Sequence, residues 1–286
     1  MKNRYPRAFA CVSHSPLMTL PNLADYGSEF RKSLLSVKAR IEDFAPDLVV
    51  IFAPDHLNMF ERIRPPFTTI ISATSLEEFS VPKFGFNIDV DLAARVCDYL
   101  ASNDIDIAAA EDVEIDHGLT LTLTELFDKP STVPLLAFVM NVIGFPVSPL
   151  RRSLVFGSAV GSFLSDFEGS VLFIGTGGLS HNPPFPDPVP GEKKFTPEQR
   201  RLSLANAVKW IDTEWDCELL EQMTHGNSKW FYNLTQAEIS KRGGGANEIR
   251  VWASCWAADG FAPATFTAYE SVPEWITGMG IAYGIG

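Results

Sequence analysis

The stretch Asp47-Leu-Val-Val-Ile-Phe-Ala-Pro-Asp-His56 decides the fold, because it joins an uninterrupted apolar run to a group of polar residues. An apolar run without alternation is typical of a strand covered on both faces, as in a parallel sheet packed between helices. Asp55 and His56 then fall at the carboxyl end of that strand. Ligands of open α/β sheets bind at this edge.

Strand and helix patterns alternate on either side of this stretch. Strands are predicted, some from weaker signals, at residues 8–12, 65–80, 105–115, 133–142 and 170–174. Helical periodicity marks residues 28–44, 89–102 and 148–166, while residues 119–127 fit either a helix or a strand. This alternation predicts a three-layer α/β/α fold around a central, mostly parallel or mixed sheet.

The last third of the chain has a different pattern. Five prolines within residues 183–190 predict an extended loop. Helical patterns cover residues 196–225 and, after three glycines, residues 246–258. We therefore expect a helical C-terminal portion that covers the sheet within a single domain, residues 1–286.

The composition limits the classes of partner. The 286 residues include 35 acidic and 23 basic side chains, a formal net charge of −12, which excludes nucleic acid or an anionic membrane as the main partner. No stretch approaches the length of a membrane span, and the first apolar run ends too early for a signal peptide. The four cysteines are far apart and form no C-x-x-C pair. We expect a cytoplasmic protein without a membrane or nucleic-acid partner.

Four of the five histidines, all except His225, lie just beyond the carboxyl ends of predicted strands: His14, His56, His117 and His181. One histidine at such a position is more often a capping or hydrogen-bonding residue than a ligand. Four at one edge indicate a single site to which separate loops each bring an imidazole. Such a site could bind zinc or copper, or hold a metal with two imidazoles and move protons with the other two.

A non-haem Fe(II) site of two histidines also needs a carboxylate ligand. Asp55 and Asp116 each adjoin a histidine, a position better suited to orienting a ring than to ligating the same ion. Glu248 is the better candidate, because the three glycines before it let the backbone approach closely. Its alternative role is to complement the dipole in the first turn of a helix.

Other catalytic motifs are missing from the sequence. It contains neither the H-E-x-x-H of zinc hydrolases nor the G-x-S-x-G nucleophile elbow. Gly175-Thr-Gly-Gly178 follows a strand, as a nucleotide-binding loop does, but G-x-G-x-x-G and a P-loop lysine are both absent. We interpret this segment as a tight turn that aims His181.

At these residues the sequence resembles the class III extradiol ring-cleavage dioxygenases, a family that opens catechols with Fe(II). The matching motifs run nearly from end to end and are Cys11-Val-Ser-His-Ser-Pro-Leu17, Phe52-Ala-Pro-Asp-His-Leu-Asn58, Val113-Glu-Ile-Asp-His-Gly118, Phe173-Ile-Gly-Thr-Gly-Gly-Leu-Ser-His-Asn-Pro-Pro184, Asn247-Glu-Ile-Arg-Val-Trp252 and Val272-Pro-Glu-Trp275. Within the family, the sequence is most similar to the single-chain 2,3-dihydroxyphenylpropionate 1,2-dioxygenase type. The catalytic subunit of protocatechuate 4,5-dioxygenase is a more distant relative.

The resemblance implies a role for each residue of the site. His14, His56 and Glu248 would bind Fe(II). His117 and His181 would be the acid and base of the reaction, in an order that the resemblance leaves open.

The resemblance also implies supporting residues and partners. Asp116 would orient His117, and Pro183 would shape the loop behind His181. The substrates would be a small catechol and O2. The assembly would be a homo-oligomer. Two-subunit relatives also need a small helical partner subunit, and the sequence does not show whether this chain needs one.

The natural substrate stays open at this stage. Leu57 and Met59 depart from the family pattern beside His56, and Arg64 or Arg250 could bind a carboxylate substituent or be solvated or ion-paired instead. The same site could act on an aminophenol, gallate or protocatechuate-type substrate. Functions of a different class are a non-catalytic binding protein of the same fold and a zinc hydrolase.

Overall fold

The computed structural model describes residues 5–60, 62–183 and 196–286. Its strands are β1 (Arg7–Val12), β2 (Leu48–Pro54), β3 (Phe67–Ile70), β4 (Ala73–Ser75), β5 (Asn87–Ile88), β6 (Ala108–Ala110), β7 (Val113–Ile115), β8 (Pro134–Met140), β9 (Val171–Thr176), β10 (Phe266–Val272) and β11 (Thr277–Ile285). Its helices are α1 (Ser28–Phe44), α2 (Val90–Ser102), α3 (His117–Leu126), α4 (Leu150–Phe163), α5 (Pro197–Asn206), α6 (Thr213–Thr224), α7 (Ser228–Asn233), α8 (Gln236–Ser240) and α9 (Ile249–Ala258). Among these helices, none is long and apolar enough to cross a membrane. The loop predicted over residues 183–190 lies outside the described residues except for Pro183.

Nine of the eleven strands in the described residues form one mixed sheet with a parallel centre. Its order is β10-β11-β1-β9-β2-β8-β3-β6, with β5 paired to β8. The central strands β1, β9, β2 and β8 run parallel to one another. Every residue of β2 is buried, as the apolar run predicted.

The side chains of β2 alternate between two cores, one on each face of the sheet. Val50 and Phe52 belong to the core that α4 and α9 complete, whereas Val49 and Ile51 belong to the core of α1 and α3. Each such buried side chain contributes about 1.5–3 kcal/mol to stability. Helices on both faces of a mixed sheet confirm the predicted three-layer α/β/α architecture.

Two segments with ambiguous patterns are resolved by the structure. Residues 119–126 belong to helix α3, because Asp116 accepts a hydrogen bond from the Gly118 N–H and caps the helix. Residues 105–115 contain two short strands, of which β6 joins the main sheet and β7 pairs with β4 in a separate two-stranded sheet.

The helical C-terminal portion ends in a hairpin that the sequence analysis did not predict. β10 pairs antiparallel with β11, which in turn pairs antiparallel with β1 and so extends the central sheet. β11 reads Thr-Gly-Met-Gly-Ile-Ala-Tyr-Gly-Ile, and its three glycines interrupt the alternation by which strands are recognised.

Asp259, just after α9, is a buried carboxylate with no hydrogen bond to either oxygen among the described residues. Burial raises the pKa of Asp259 to about 8, although the Arg7 guanidinium opposes this shift. The unfolded chain loses the same proton near pH 4. The folded state therefore binds more protons between about pH 4 and pH 8, and its stability falls as the pH rises through this range.

Asp259→Asn is expected to raise the melting temperature more at pH 8 than at pH 5, because the amide does not ionise. Differential scanning calorimetry at the two pH values measures this difference. Asp98→Asn, a change at an exposed position of α2, is the matched control and should show no such difference. Equal shifts for Asp259→Asn at both pH values would contradict the prediction.

Candidate active site

The carboxyl edge of the parallel strands brings the predicted site residues together. His14 and His56 each lie two residues beyond a strand, β1 and β2, and His117 is the first residue of α3. His181 follows β9, and Glu248 ends a 3-10 turn that leads into α9. The structure thus places four histidines and one glutamate in one cluster, in which His56 is half-buried and the other four residues are buried.

Three of these imidazoles lie within reach of one ion. The ligand atoms of His14, His56 and His117 lie within 4.8 Å of one another. The rings of His14 and His56 are nearly perpendicular, at 89°, with centroids 5.5 Å apart. The rings of His56 and His117 are stacked, at 9° and 4.3 Å. Because a nitrogen lone pair lies in its ring plane, stacked rings cannot both aim at one ion, whereas perpendicular rings can.

The Glu248 carboxylate completes this cluster. Its Oε1 lies 3.3 Å from His56 Nε2, and its Oε2 accepts a hydrogen bond of 2.6 Å from the Gly178 N–H. The turn at residues 175–178 therefore holds Glu248, with Gly177 in the left-handed region at a φ of 116°. Burial raises the pKa of Glu248, but His181 and His56 outweigh burial and lower it to about 2. Glu248 is therefore ionised at neutral pH.

The protonation of the two perpendicular imidazoles suits a cation site. Burial lowers the pKa of His14 to about 3, and its Nδ1 has no hydrogen-bond partner among the described residues. His14 is thus neutral, the form that binds metals. Burial also lowers the pKa of His56, but Asp116 and Glu248 raise it well above its usual value. Asp116 and Glu248 thus favour a positive charge at His56. A bound metal cation would supply that charge in place of the proton.

These side chains fit a divalent metal of the non-haem iron type. Two imidazoles and one carboxylate are the donor set of the Fe(II) facial triad. His56 also has the support that metal-bound histidines usually show, a carboxylate behind its other ring nitrogen. The residues present therefore match the metal that the family resemblance implies.

Asp116 contacts a different histidine from the one predicted. Its carboxylate lies 3.3 Å from His56 Nδ1 and accepts hydrogen bonds from the His56 backbone N–H and the Asn58 side chain. Asp116 is also the N-cap of α3, where its carboxylate accepts a hydrogen bond from the Gly118 N–H. The His117 ring bonds to Glu78 instead. The prediction that Asp116 orients His117 is therefore wrong, since its hydrogen bonds orient His56.

Asp116→Asn is expected to weaken metal binding by about 10- to 100-fold, as removal of a carboxylate behind a metal-bound histidine commonly does. The amide can still cap α3 but carries no charge behind His56. Competition with a chelator of known affinity measures the change. Asp89→Asn, at the exposed N-cap of α2, is the matched control. Unchanged affinity in Asp116→Asn would contradict the role of Asp116.

His117 pairs with Glu78, a residue that the sequence analysis missed. Glu78 Oε1 accepts hydrogen bonds from the backbone N–H and the ring Nδ1 of His117, each 2.8 Å long. Because a carboxylate only accepts, the His117 proton lies on Nδ1. Glu78 belongs to a stretch with only strand and loop signals, and no motif pointed to it.

His181 is held by the backbone instead of a charged side chain. Its Nδ1 donates to the Leu179 carbonyl at 2.8 Å, and its Nε2 lies 3.8 Å from Glu248 Oε2. A Cβ at Gly245 would lie 2.3 Å from His181 Nε2. The glycine run was predicted to let the backbone approach closely, and the group that this backbone approaches is the His181 ring. Pro183 lies two residues later, half-buried, at the last described position before residue 196.

The remaining candidates have structural partners. Asp55 accepts hydrogen bonds from the Met59 and Phe60 N–H groups, and burial raises its pKa to about 6. Arg250 is buried and donates to Ser148, Asn247 and Gln236. None of the hydrogen bonds of Arg250 in the described structure goes to a carboxylate.

Comparisons with known proteins show the family of the chain. The family profile of the catalytic LigB subunit of aromatic ring-opening dioxygenase matches residues 8–280. A 2,3-dihydroxyphenylpropionate/2,3-dihydroxicinnamic acid 1,2-dioxygenase of Mycolicibacterium smegmatis is 32% identical over 96% of this chain and 97% of that protein. A protein of the same name from Comamonas testosteroni is 32% identical over 97% of this chain and 96% of its own.

A solved structure supports the fold. The crystal structure of the uncharacterized protein JW3007 from Escherichia coli K12 has a TM-score of 0.56 and 16% identity, and it covers 98% of this chain and 99% of its own. The family match extends over nearly the whole chain, and the histidine motifs that carried the resemblance lie together at one sheet edge. The chain therefore belongs to the LigB family and is a class III extradiol ring-cleavage dioxygenase.

Proposed function

We propose that this enzyme uses Fe(II) to open the ring of a catechol beside its diol, with insertion of both atoms of O2. The observation that carries the proposal is the convergence of perpendicular imidazoles with a carboxylate at the sheet edge. When bound, the iron would hold catechol and O2 in contact and pass electron density between them.

His14, His56 and Glu248 are the metal ligands in this proposal. The His14 ring is nearly perpendicular to both His56, at 89°, and His117, at 82°, so the ring angles do not choose between these two partners. The 3.3 Å approach of Glu248 Oε1 to His56 Nε2 supports His56 and Glu248 as ligands. The stacked His117 ring, with Nδ1 bound to Glu78, is left for proton transfer. Zn²⁺ accepts the same donor set, so the choice of Fe(II) rests on the family and on the experiment below.

Two imidazoles of the chain would handle protons. His117 and His181 each have Nδ1 in a hydrogen bond to a fixed acceptor, Glu78 and the Leu179 carbonyl. Each ring can therefore take or return a proton at Nε2 without turning over. Both side chains are buried, which limits proton exchange with bulk water.

We propose a catechol with a carboxylate-bearing side chain as the substrate. Relatives of similar length are named for dihydroxyphenylpropionate. Arg250 is not assigned to this substituent, because its buried guanidinium already donates to Ser148, Asn247 and Gln236. It lines a cavity of about 420 Å³ whose described lining includes none of the five proposed site residues.

The decisive experiment loads the protein with Fe(II) without oxygen and then admits O2 with a panel of ring substrates. The panel comprises catechol, 2,3-dihydroxyphenylpropionate, protocatechuate, gallate and 2-aminophenol. We expect one O2 consumed per ring opened, with a visible product absorbance, and the highest kcat/KM on 2,3-dihydroxyphenylpropionate, the catechol of the panel whose carboxylate lies on a side chain. Protein loaded with Zn²⁺ is the matched control and should consume none. Iron-loaded protein that binds these compounds without O2 uptake would overturn the proposal.

We also propose that residues 1–286 form one catalytic domain that acts in the cytoplasm as a homo-oligomer. The family match runs through the chain as a single stretch, residues 8–280. All four cysteines are free, as expected in a reducing compartment. Leu202, Val208 and Trp210 are exposed apolar side chains on α5 and the turn after it, where a second copy could pack.

A further inference from the structure

The tight turn at residues 78–81, just after β4, has an unfavourable backbone. The Val81 N–H donates to the Glu78 carbonyl at 2.8 Å and closes the turn. Its two central residues, Phe79 and Ser80, have φ values of 46° and 64°. Turns with positive φ at both central positions normally use Asn and Gly. Non-glycine residues are strained in this conformation, so other contacts must stabilise the turn.

Those contacts are made to His117. Glu78 Oε1 accepts from both the backbone N–H and the ring Nδ1 of His117, each at 2.8 Å. The Phe79 ring meets the His117 ring edge to face, with centroids 4.9 Å apart. His56 stacks on the same imidazole at 4.3 Å. The turn therefore holds His117 through two adjacent residues, while the rings of His56 and His14 contact the His117 ring from the cluster.

One oxygen bound to both a backbone and a ring N–H leaves the imidazole little freedom. The backbone bond fixes where helix α3 begins, and the ring bond sets the rotation of the side chain. The carboxylate cannot donate, so it also selects the tautomer with the proton on Nδ1. The His117 Nε2 makes no hydrogen bond within the described residues and is the nitrogen that remains for a substrate.

We propose that Glu78 is the positioning residue of His117. It holds the ring and its tautomer so that Nε2 is presented to the ring substrate, and it does not touch the substrate itself. This role rests on the proposed function, in which His117 exchanges a proton with the catechol. The role also explains why the strained turn is present, since neither the metal ligands nor His181 require it.

Kinetics of Glu78 variants test the role. Glu78→Ala should lower kcat by about 10- to 100-fold, comparable with the loss of a residue that orients a metal-bound histidine. KM for the catechol should change by less than about threefold, and iron content should not change, because Glu78 touches neither. Glu78→Gln should restore most of kcat, since its amide oxygen can accept both hydrogen bonds. Glu77→Ala, at the exposed neighbouring position, is the matched control. Wild-type kcat in Glu78→Ala would overturn the proposal.

A second measurement does not depend on turnover. Nitrogen NMR of the full chain, labelled at histidine and loaded with diamagnetic Zn²⁺, reports which nitrogen of His117 carries the proton. We expect Nδ1–H in the wild type and Glu78→Gln, and a shift toward Nε2–H in Glu78→Ala. The same tautomer in all three would overturn the positioning role. The expected shift in a protein without ring-opening activity would support that role and refute only the proposed function.

Discussion

His14→Ala is expected to remove the metal and, with it, ring-opening turnover. Loss of one of three ligands should weaken Fe(II) binding by more than about 100-fold. Substitution of a residue that only hydrogen-bonds to a metal ligand already lowers metal affinity by about 10- to 100-fold. Glu248→Ala should behave in the same way, since its carboxylate is the charged member of the set. Iron per chain, measured by atomic emission, and O2 uptake on the best catechol check both variants.

His225→Ala is the matched control for this prediction. His225 is exposed beyond the end of α6, far in sequence from the other histidines. It should keep wild-type iron content and activity. Full iron content and activity in His14→Ala would show that the assigned ligand set is wrong. Loss of iron in His117→Ala together with iron retained in Glu248→Ala would assign the third ligand to His117 instead.

His181→Gln and His117→Gln are expected to lower kcat by about 10²- to 10⁴-fold, the usual contribution of a positioned acid or base. Iron should remain bound, because neither ring belongs to the proposed ligand set. Glutamine keeps a polar side chain of moderate size but cannot accept and release a proton near neutral pH. Stopped-flow kinetics on iron-loaded protein separates catechol binding from ring opening.

The two variants should therefore bind the catechol normally and fail in the later steps. A kcat within threefold of the wild type in either variant would contradict an acid-base role for that histidine. Weak catechol binding with a normal kcat would indicate a contact with a substrate hydroxyl instead.

The fold follows from local patterns where a segment is a continuous apolar run covered on both faces. The run of residues 47–53 was readable because a central parallel strand needs apolar side chains on both faces. β11 was not readable, since it is a strand with three glycines whose place depends on pairing with β1 and β10. The short α3 was ambiguous until its Asp116 cap was seen, because alternating Leu and Thr suits both helix and strand.

The sequence by itself determined the edge at which the site lies and the family of the chain. The positions of His14, His56 and His181 just after strands are local facts, and parallel strands end at one edge. The tertiary structure alone decided which side chains pair. Asp116 bonds to His56 across 60 residues, and Glu78 bonds to His117 across 39. Such pairs depend on strand order and on the direction in which each side chain leaves the backbone. Neither can be read from the residues adjacent in sequence.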